Sequence, residues 1–135
     1  MSAAGGLGAG RCPCGSGDAL ALCCGRFHAG QAAAPTAVAL MRSRYSAFAL
    51  RDADYLRRTW HPRTRPRRLV LDPAMAWTGL TIVATEAGGL FDATGIVEFR
   101  AAYRVGAQVG ELVERSRFAR EDGHWLYLDG DVAPD

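Results

Sequence analysis

The stretch Val97-Glu-Phe-Arg-Ala-Ala-Tyr-Arg-Val105 decides the fold class, because its apolar side chains recur at every second position. A period of two is typical of a β-strand that buries one face and exposes the other. Three flanking segments, at residues 77–86, 112–120 and 124–129, predict further strands. The breaks between them are Gly88-Gly89, Gly106 to Gly110 and Asp122-Gly123. Short glycine-containing breaks favour hairpins, so the sequence predicts a four-stranded antiparallel sheet.

Two helices are predicted upstream of the sheet. Thr36 is placed to cap a helix over residues 37–50, whose apolar residues Ala37, Met41, Tyr45 and Phe48 fall on one face. A second helix begins near Asp52 and is predicted to end before Pro62, since proline cannot continue a helix. Two helices covering one face of an antiparallel sheet give an α+β fold.

Composition limits the classes of function. The chain has 135 residues, and 49% of them are hydrophobic, which suffices for one domain or a small module joined to one. No run of about 18 apolar residues is present, so no membrane partner is expected. The chain contains no lysine, which excludes Schiff-base chemistry on a lysine.

The net charge of +2 conceals an uneven distribution. Residues 42–68 hold nine Arg against two Asp, whereas residues 69–135 hold five Arg against eleven acids. Either basic helices compensate an acidic sheet, or the basic region forms a rim for a small anionic ligand or a partner. The Arg-rich segment 63–68 lacks interleaved aromatic residues, so we expect a solvated loop there and no nucleic-acid partner.

The cysteines form a compact cluster with the pattern C-x-C, eight residues, C-C. Gly15 and Gly17 permit a tight turn after the first pair, and Asp18 is a candidate N-cap for a short helix over residues 19–22. That helix would return the second pair to the first. Zn²⁺ takes four thiolates in a tetrahedron at structural sites, so the predicted ligands are Cys12, Cys14, Cys23 and Cys24.

Other interpretations of the cysteines remain open from the sequence alone. Disulfides, a redox-active thiol pair and an iron–sulfur cluster are the alternatives, and His28 is a candidate replacement for one thiolate. Residues 1–10 read MSAAGGLGAG, a predicted disordered tail without the features of a secretory signal. The expected localisation is therefore cytoplasmic, where clustered cysteines favour metal over disulfides.

The string Cys12-Pro-Cys-Gly-Ser-Gly followed by Cys23-Cys24 resembles the SEC-C motif, a small zinc module named for the C-terminus of the SecA translocation ATPase. The resemblance implies zinc ligation by the C-x-C pair and the terminal pair. In SecA the module docks a chaperone and ribosomes. The resemblance therefore implies a protein or ribosomal partner for residues 11–30 rather than catalysis.

Four longer strings resemble the YchJ family of bacterial proteins: LMRSRYSAF (40–48), DADYLRRTWHP (52–62), ERSRF (114–118) and HWLYLDG (124–130). Members join a SEC-C module to a domain similar to nuclear transport factor 2 (NTF2). The resemblance implies a zinc knuckle followed, over residues 35–135, by a cone-like domain of helices on a curved sheet. The family supplies no established activity.

Such a cone can contain a pocket, and five residues are candidates for its lining: Tyr45, Trp60, His61, Arg115 and Arg117. His61 is a candidate general base, and Asp52 and Asp54 are the acids nearest to it in sequence. Arg115 and Arg117 share one face of a strand opposite Glu114, and the pattern does not say which face is inside. No catalytic residue is assigned.

The sequence therefore predicts a cytosolic zinc-binding adaptor. The rival hypothesis is a small-molecule-binding or enzymatic cone of isomerase, dehydratase or hydrolase type.

Overall fold

The structure is a computed structural model, and it describes residues 10–133. The disordered tail predicted for residues 1–10 lies outside the described residues except for Gly10. The carbonyl of Gly10 accepts a hydrogen bond from the backbone N–H of Leu20 at 3.0 Å. No helix in the described part of the chain is long and apolar enough to cross a membrane.

The four predicted strands are present and form one antiparallel sheet in the order β1-β2-β3-β4. Their bounds are β1 Met75–Ala87, β2 Thr94–Val105, β3 Gln108–Glu121 and β4 His124–Val132. Register shifts between Trp77 and Gly79 and between Ile82 and Ala84 mark bulges in β1. Bulges bend and twist a strand, which suits the curvature of this sheet.

Strand β3 begins four residues earlier than predicted, because Gly110 does not break the sheet. A Cβ atom at Gly110 would overlap the ring of Tyr103, so glycine leaves room for this aromatic side chain on the neighbouring strand. The β3–β4 hairpin turns at Asp122 and Gly123, with φ of 53° and 80°. Two successive positive φ angles match the twist of a two-residue hairpin, as predicted.

Three α-helices precede the sheet: α1 Cys24–His28, α2 Ala37–Leu50 and α3 Ala53–Arg58, with a 3₁₀ turn at Leu20–Leu22 before α1. Thr36 caps α2 through a bond from Ala39 N, and Asp52 caps α3 through a bond from Tyr55 N, both at 3.1 Å. These confirm the predicted helix starts.

Helix α3 ends at Arg58, well before Pro62. Trp60 pairs with Tyr127 in a parallel bridge, so the backbone is already extended beside β4. Here the pairing of the chain with the sheet, rather than proline chemistry, ends the helix.

The alternation predicted for β2 is confirmed. Val97, Phe99 and Ala101 are buried, and they meet buried residues of α2, including Leu40, Met41 and Tyr45. Helix α2 differs from the prediction of a single apolar face, because Ser43, Arg44, Ser46 and Ala47 are buried as well. The segment around α1 and helix α3 cover the side of α2 that the sheet does not. These contacts extend the core across residues 30–35, where the sequence predicts a boundary between two domains. That boundary stays a prediction.

Charges in the described residues do not pair between the helices and the sheet. Arg115 pairs with Glu86 and Glu98 within the sheet, and Arg117 pairs with Asp129 and Asp131. The helix arginines that form hydrogen bonds donate instead to backbone carbonyls: Arg26, Arg42, Arg44, Arg57 and Arg58. Arg44 also donates to Thr59 Oγ1. The expected compensation between basic helices and an acidic sheet is therefore not made by ion pairs.

Candidate functional site

The four cysteines converge on one point. Their Sγ atoms all lie within 4.8 Å of one another, and Cys14 Sγ and Cys23 Sγ are 3.6 Å apart. Zn–S bonds of about 2.3 Å in a tetrahedron place sulfur atoms about 3.8 Å apart. All four are free thiols, separated by far more than an S–S bond. The group can thus hold a metal ion with little rearrangement.

Local backbone structure builds the first half of this site. Cys12 N donates to Asp18 O at 2.8 Å, and Gly15 N donates to Cys12 O at 3.2 Å. Gly15 and Gly17 have φ of 84° and 89°, the left-handed region that glycine adopts without strain. The tight turn predicted from the two glycines is confirmed.

The predicted N-cap at Asp18 is wrong. The helical turn begins at Leu20, its N-cap is Ala19, and no side chain caps it. The backbone of Asp18 is engaged elsewhere: its N–H donates to Ser16 Oγ, and its carbonyl accepts from Cys12. Asp18 therefore lies in a bend, directly before the Arg11–Ala19 bridge that closes the loop.

Hydroxyl and backbone groups surround the sulfur atoms. Ser46 Oγ on α2 lies 3.4 Å from Cys12 Sγ, and Ser16 Oγ lies 3.2 Å from Cys23 Sγ. Cys12, Cys14 and Cys24 are buried, whereas Cys23 is partly exposed. Such outer contacts orient metal-ligating side chains.

Burial opposes ionisation of these thiols. It raises the pKa of Cys14 and of Cys24. Burial also acts on Cys12, but hydrogen bonds from Ser46 and from the backbone N–H groups of Cys14 and Cys24 outweigh it and lower the pKa of Cys12 to about 7. Four thiolates cannot coexist here without a cation, so metal binding would release protons.

His28 does not join the cysteines. Its Nε2 lies 2.9 Å from the carbonyl of Ser43, and its ring packs against that of Tyr55 with centroids 4.6 Å apart and a tilt of 59°. The alternative in which His28 replaces a thiolate does not fit this geometry. His28 instead joins α1 to α2 and α3.

Several further contacts fix the cysteine segment to the rest of the chain. Arg58 Nη2 on α3 donates to the carbonyls of Phe27 and His28, and Arg42 Nη1 on α2 donates to Cys14 O. The side chain of Phe27 belongs to the main hydrophobic core. The cysteine cluster is therefore fixed to α2 and α3 by hydrogen bonds and by the shared core.

A separate cavity of about 220 Å³ lies between α2 and the sheet. Two of the five predicted pocket residues, Tyr45 and Trp60, line it. Its aromatic walls are completed by Phe48, Trp77, Phe99 and Tyr127.

The other three pocket candidates are corrected by the structure. Arg115 and Arg117 point to the opposite face of the sheet, where they form the ion pairs described above. His61 lies outside the cavity, with its Nε2 donating to Glu121 at 2.5 Å and its Nδ1 accepting from Arg63 N. Its acidic partner is Glu121, not Asp52 or Asp54, because α3 ends before His61 and the chain then runs beside β4.

Three polar residues that were not predicted also line the cavity: Arg44, Glu114 and Ser116. Glu114 and Ser116 follow from the strand period once Arg115 and Arg117 are known to face outward. Arg44 gave no signal, since a buried arginine cannot be distinguished in sequence from an exposed one on a basic helix.

Comparisons with known proteins agree with both parts of this structure. The model of the SEC-C motif matches residues 11–26, and that described as "YchJ, middle NTF2-like domain" matches residues 36–130. A UPF0225 protein of Streptomyces coelicolor is 62% identical over 120 residues, which cover 89% of this chain and 94% of the relative. One of Corynebacterium efficiens is 53% identical, over 91% of this chain and 94% of the relative.

Two solved structures share the fold. The solution structure of a SEC-C motif containing protein from Rhodopseudomonas palustris has a TM-score of 0.79 at 33% identity and covers 91% of this chain and 98% of that one. The crystal structure of a sec-c motif containing protein from Psychrobacter arcticus has a TM-score of 0.77 at 26% identity, covering 96% and 86%. With its cysteine cluster packed on a helix-covered sheet, this chain belongs to the YchJ family of SEC-C motif proteins that carry an NTF2-like domain.

Proposed function

We propose that this protein binds one Zn²⁺ through Cys12, Cys14, Cys23 and Cys24 and acts in the cytosol as a protein-interaction adaptor. The convergence of the four Sγ atoms within 4.8 Å carries the proposal. Four thiolates in a closed tetrahedron suit zinc at a structural site, and they leave no open position for substrate. The proposed role of the metal is to shape a surface, with the NTF2-like domain as scaffold.

The surface around the metal site supports contact with another macromolecule. Leu22, next to Cys23, has 73% of its side chain exposed. Arg11 and Arg26, both exposed, lie in the same segment. An apolar side chain flanked by cations suits a protein or ribosomal partner with acidic groups around an apolar pocket.

Metal content tests the first half of the proposal. Freshly purified, reduced protein should contain about one zinc per chain, and less than about half an equivalent would contradict the assignment. Cys23→Ser should lower zinc content, whereas Ser16→Ala, which removes only a hydroxyl near Cys23 Sγ, should retain it. Iron with visible absorbance in place of zinc would indicate an iron–sulfur cluster instead.

Partner binding tests the second half. Leu22→Ser should reduce co-sedimentation with purified ribosomes or capture of a protein partner. Val109→Ser is the matched control, since Val109 is 81% exposed at the β2–β3 hairpin. A partner that remains bound after both Cys23→Ser and Cys24→Ser does not contact the metal module, and the adaptor role would then be wrong.

A further inference from the structure

The cavity between α2 and the sheet has two chemically different ends. Its volume of about 220 Å³ equals that of roughly seven water molecules at their liquid density. Its walls are mainly aromatic, and only a few polar groups reach it. A mostly apolar cavity with a few fixed polar groups is the usual form of a small-molecule site.

Arg44 forms the basic end. Arg44 is only 3% exposed. Its Nη1 donates two hydrogen bonds, to Leu56 O and to Thr59 Oγ1, each at 2.8 Å. Its guanidinium lies over the rings of Trp60 and Tyr127, at 4.9 and 4.6 Å. None of the ion pairs formed by the described residues includes Arg44. The carboxylate of Glu114 acts on Arg44 only through space, without an ion pair, so the guanidinium keeps the capacity to pair directly with an anion from outside the chain.

The indole of Trp60 completes this end. Its ring lines the cavity and lies beside the guanidinium of Arg44. Its Nε1 is buried and has no hydrogen-bond partner among the described residues. A ligand in the cavity would lie against this ring and change the environment of its N–H.

Glu114 forms the acidic end. Its Oε2 accepts from Ser116 Oγ at 2.7 Å and from the hydroxyl of Tyr127 at 3.0 Å. A Cβ atom at position 130 would overlap this carboxylate, so Gly130 leaves space for it. Arg44 lies over the ring of Tyr127 and Glu114 accepts from its hydroxyl, so the two ends contact different parts of one side chain.

We propose that the cavity binds a small carboxylate with a flat apolar body and a hydroxyl or amino donor at its far end. The carboxylate pairs with Arg44, beside the ring of Trp60. The body lies against the aromatic walls, and the donor bonds to Glu114. This site is independent of the metal centre.

The test uses the full-length, zinc-loaded protein labelled with ¹⁵N, and 4-hydroxybenzoate as the probe. The indole N–H resonance of Trp60 is identified by its loss in Trp60→Phe. We expect it to shift saturably, while that of Trp125, whose Nε1 already donates to Pro35 O, stays in place. Benzoate lacks the far donor and phenol lacks the carboxylate, so each should bind about fivefold more weakly. Absence of a saturable Trp60 shift up to about 10 mM probe, or equal affinity for all three compounds, overturns the proposal.

A pair of variants locates the binding. Ala101 lines the cavity and Ala102 faces away from it on the same strand. Ala101→Leu should weaken binding at least tenfold, and Ala102→Leu should not; unchanged binding by Ala101→Leu overturns the location. If Ala101→Leu does not fold, Glu114→Gln decides. It should reduce the fivefold preference for 4-hydroxybenzoate over benzoate to less than twofold, and an unchanged preference contradicts the role of Glu114.

Discussion

Truncation of Phe27 tests whether the cysteine segment is an integral part of the hydrophobic core. Phe27 lies on the five-residue helix α1, directly after the last cysteines, and is 7% exposed. Its side chain belongs to the same core cluster as Leu40 and Tyr55. Phe27→Ala removes this contact and leaves all four cysteines in place.

The expected cost follows from the burial of the ring. Truncation of a buried phenylalanine to alanine costs about 3–5 kcal/mol of unfolding free energy. Phe27 also lines an open groove on the surface, so the lower end of that range applies, about 3 kcal/mol. For a domain of this size, that loss lowers the Tm by roughly 10 °C.

Thermal and urea denaturation of the zinc-loaded protein, followed by circular dichroism, measures this loss. Phe91→Ala is the matched control, because it removes the same atoms from a side chain that is 93% exposed. The control should change the unfolding free energy by less than about 0.5 kcal/mol.

A cost below about 1 kcal/mol for Phe27→Ala would refute the reasoning. So would two separate unfolding transitions in the unmodified protein, because they would show that the cysteine segment unfolds independently of the sheet. A single transition that Phe27→Ala shifts as a whole supports one shared core.

Cys23→Ser, which alters the most exposed of the four cysteines, should weaken zinc binding at least tenfold in a chelator competition while far-UV circular dichroism of the sheet is retained. Gly130→Ala should cost about 1–3 kcal/mol in urea unfolding, because the added methyl displaces the Glu114 carboxylate from its hydrogen bonds; a cost near zero would contradict that packing. The hydrogen bond from Arg117 lowers the pKa of Asp131 below its ordinary 3.8, so the stability it contributes is complete above that pH and is lost as the pH falls through the lowered value. Acid unfolding of Asp131→Asn should therefore show less loss of stability below pH 3.8 than the unmodified protein, and identical acid profiles would contradict the pair.

Much of the fold could be predicted because its signals are local. The alternation in Val97–Val105 reflects the geometry of one strand, and the turn at Asp122-Gly123 needs only two residues with positive φ. The caps at Thr36 and Asp52 likewise involve residues three positions apart. Such features depend on neighbours in sequence and can be identified without the rest of the molecule.

The candidate metal site was predictable for the same reason, since all four cysteines lie within thirteen residues and a glycine turn joins them. The lining of the cavity was only partly predictable. Trp60 was identified, but Arg44 and Glu114, which form the polar ends of the cavity, belong to a helix and a strand far apart in sequence. Which arginines face inward on β3 also depends on which face the helices cover.

By itself, the sequence determined the strands, the starts of α2 and α3 and the cysteine cluster, because backbone geometry and short turns set each of them. Only the tertiary structure decided the environment of α2. Ser46 contacts Cys12, Ser43 contacts Tyr55 on α3, and Arg44 contacts Thr59 just after α3. The physical reason is that burial of a polar side chain is favourable only when a distant segment supplies its partner. The identity of that partner is a property of the packed molecule and not of the local sequence.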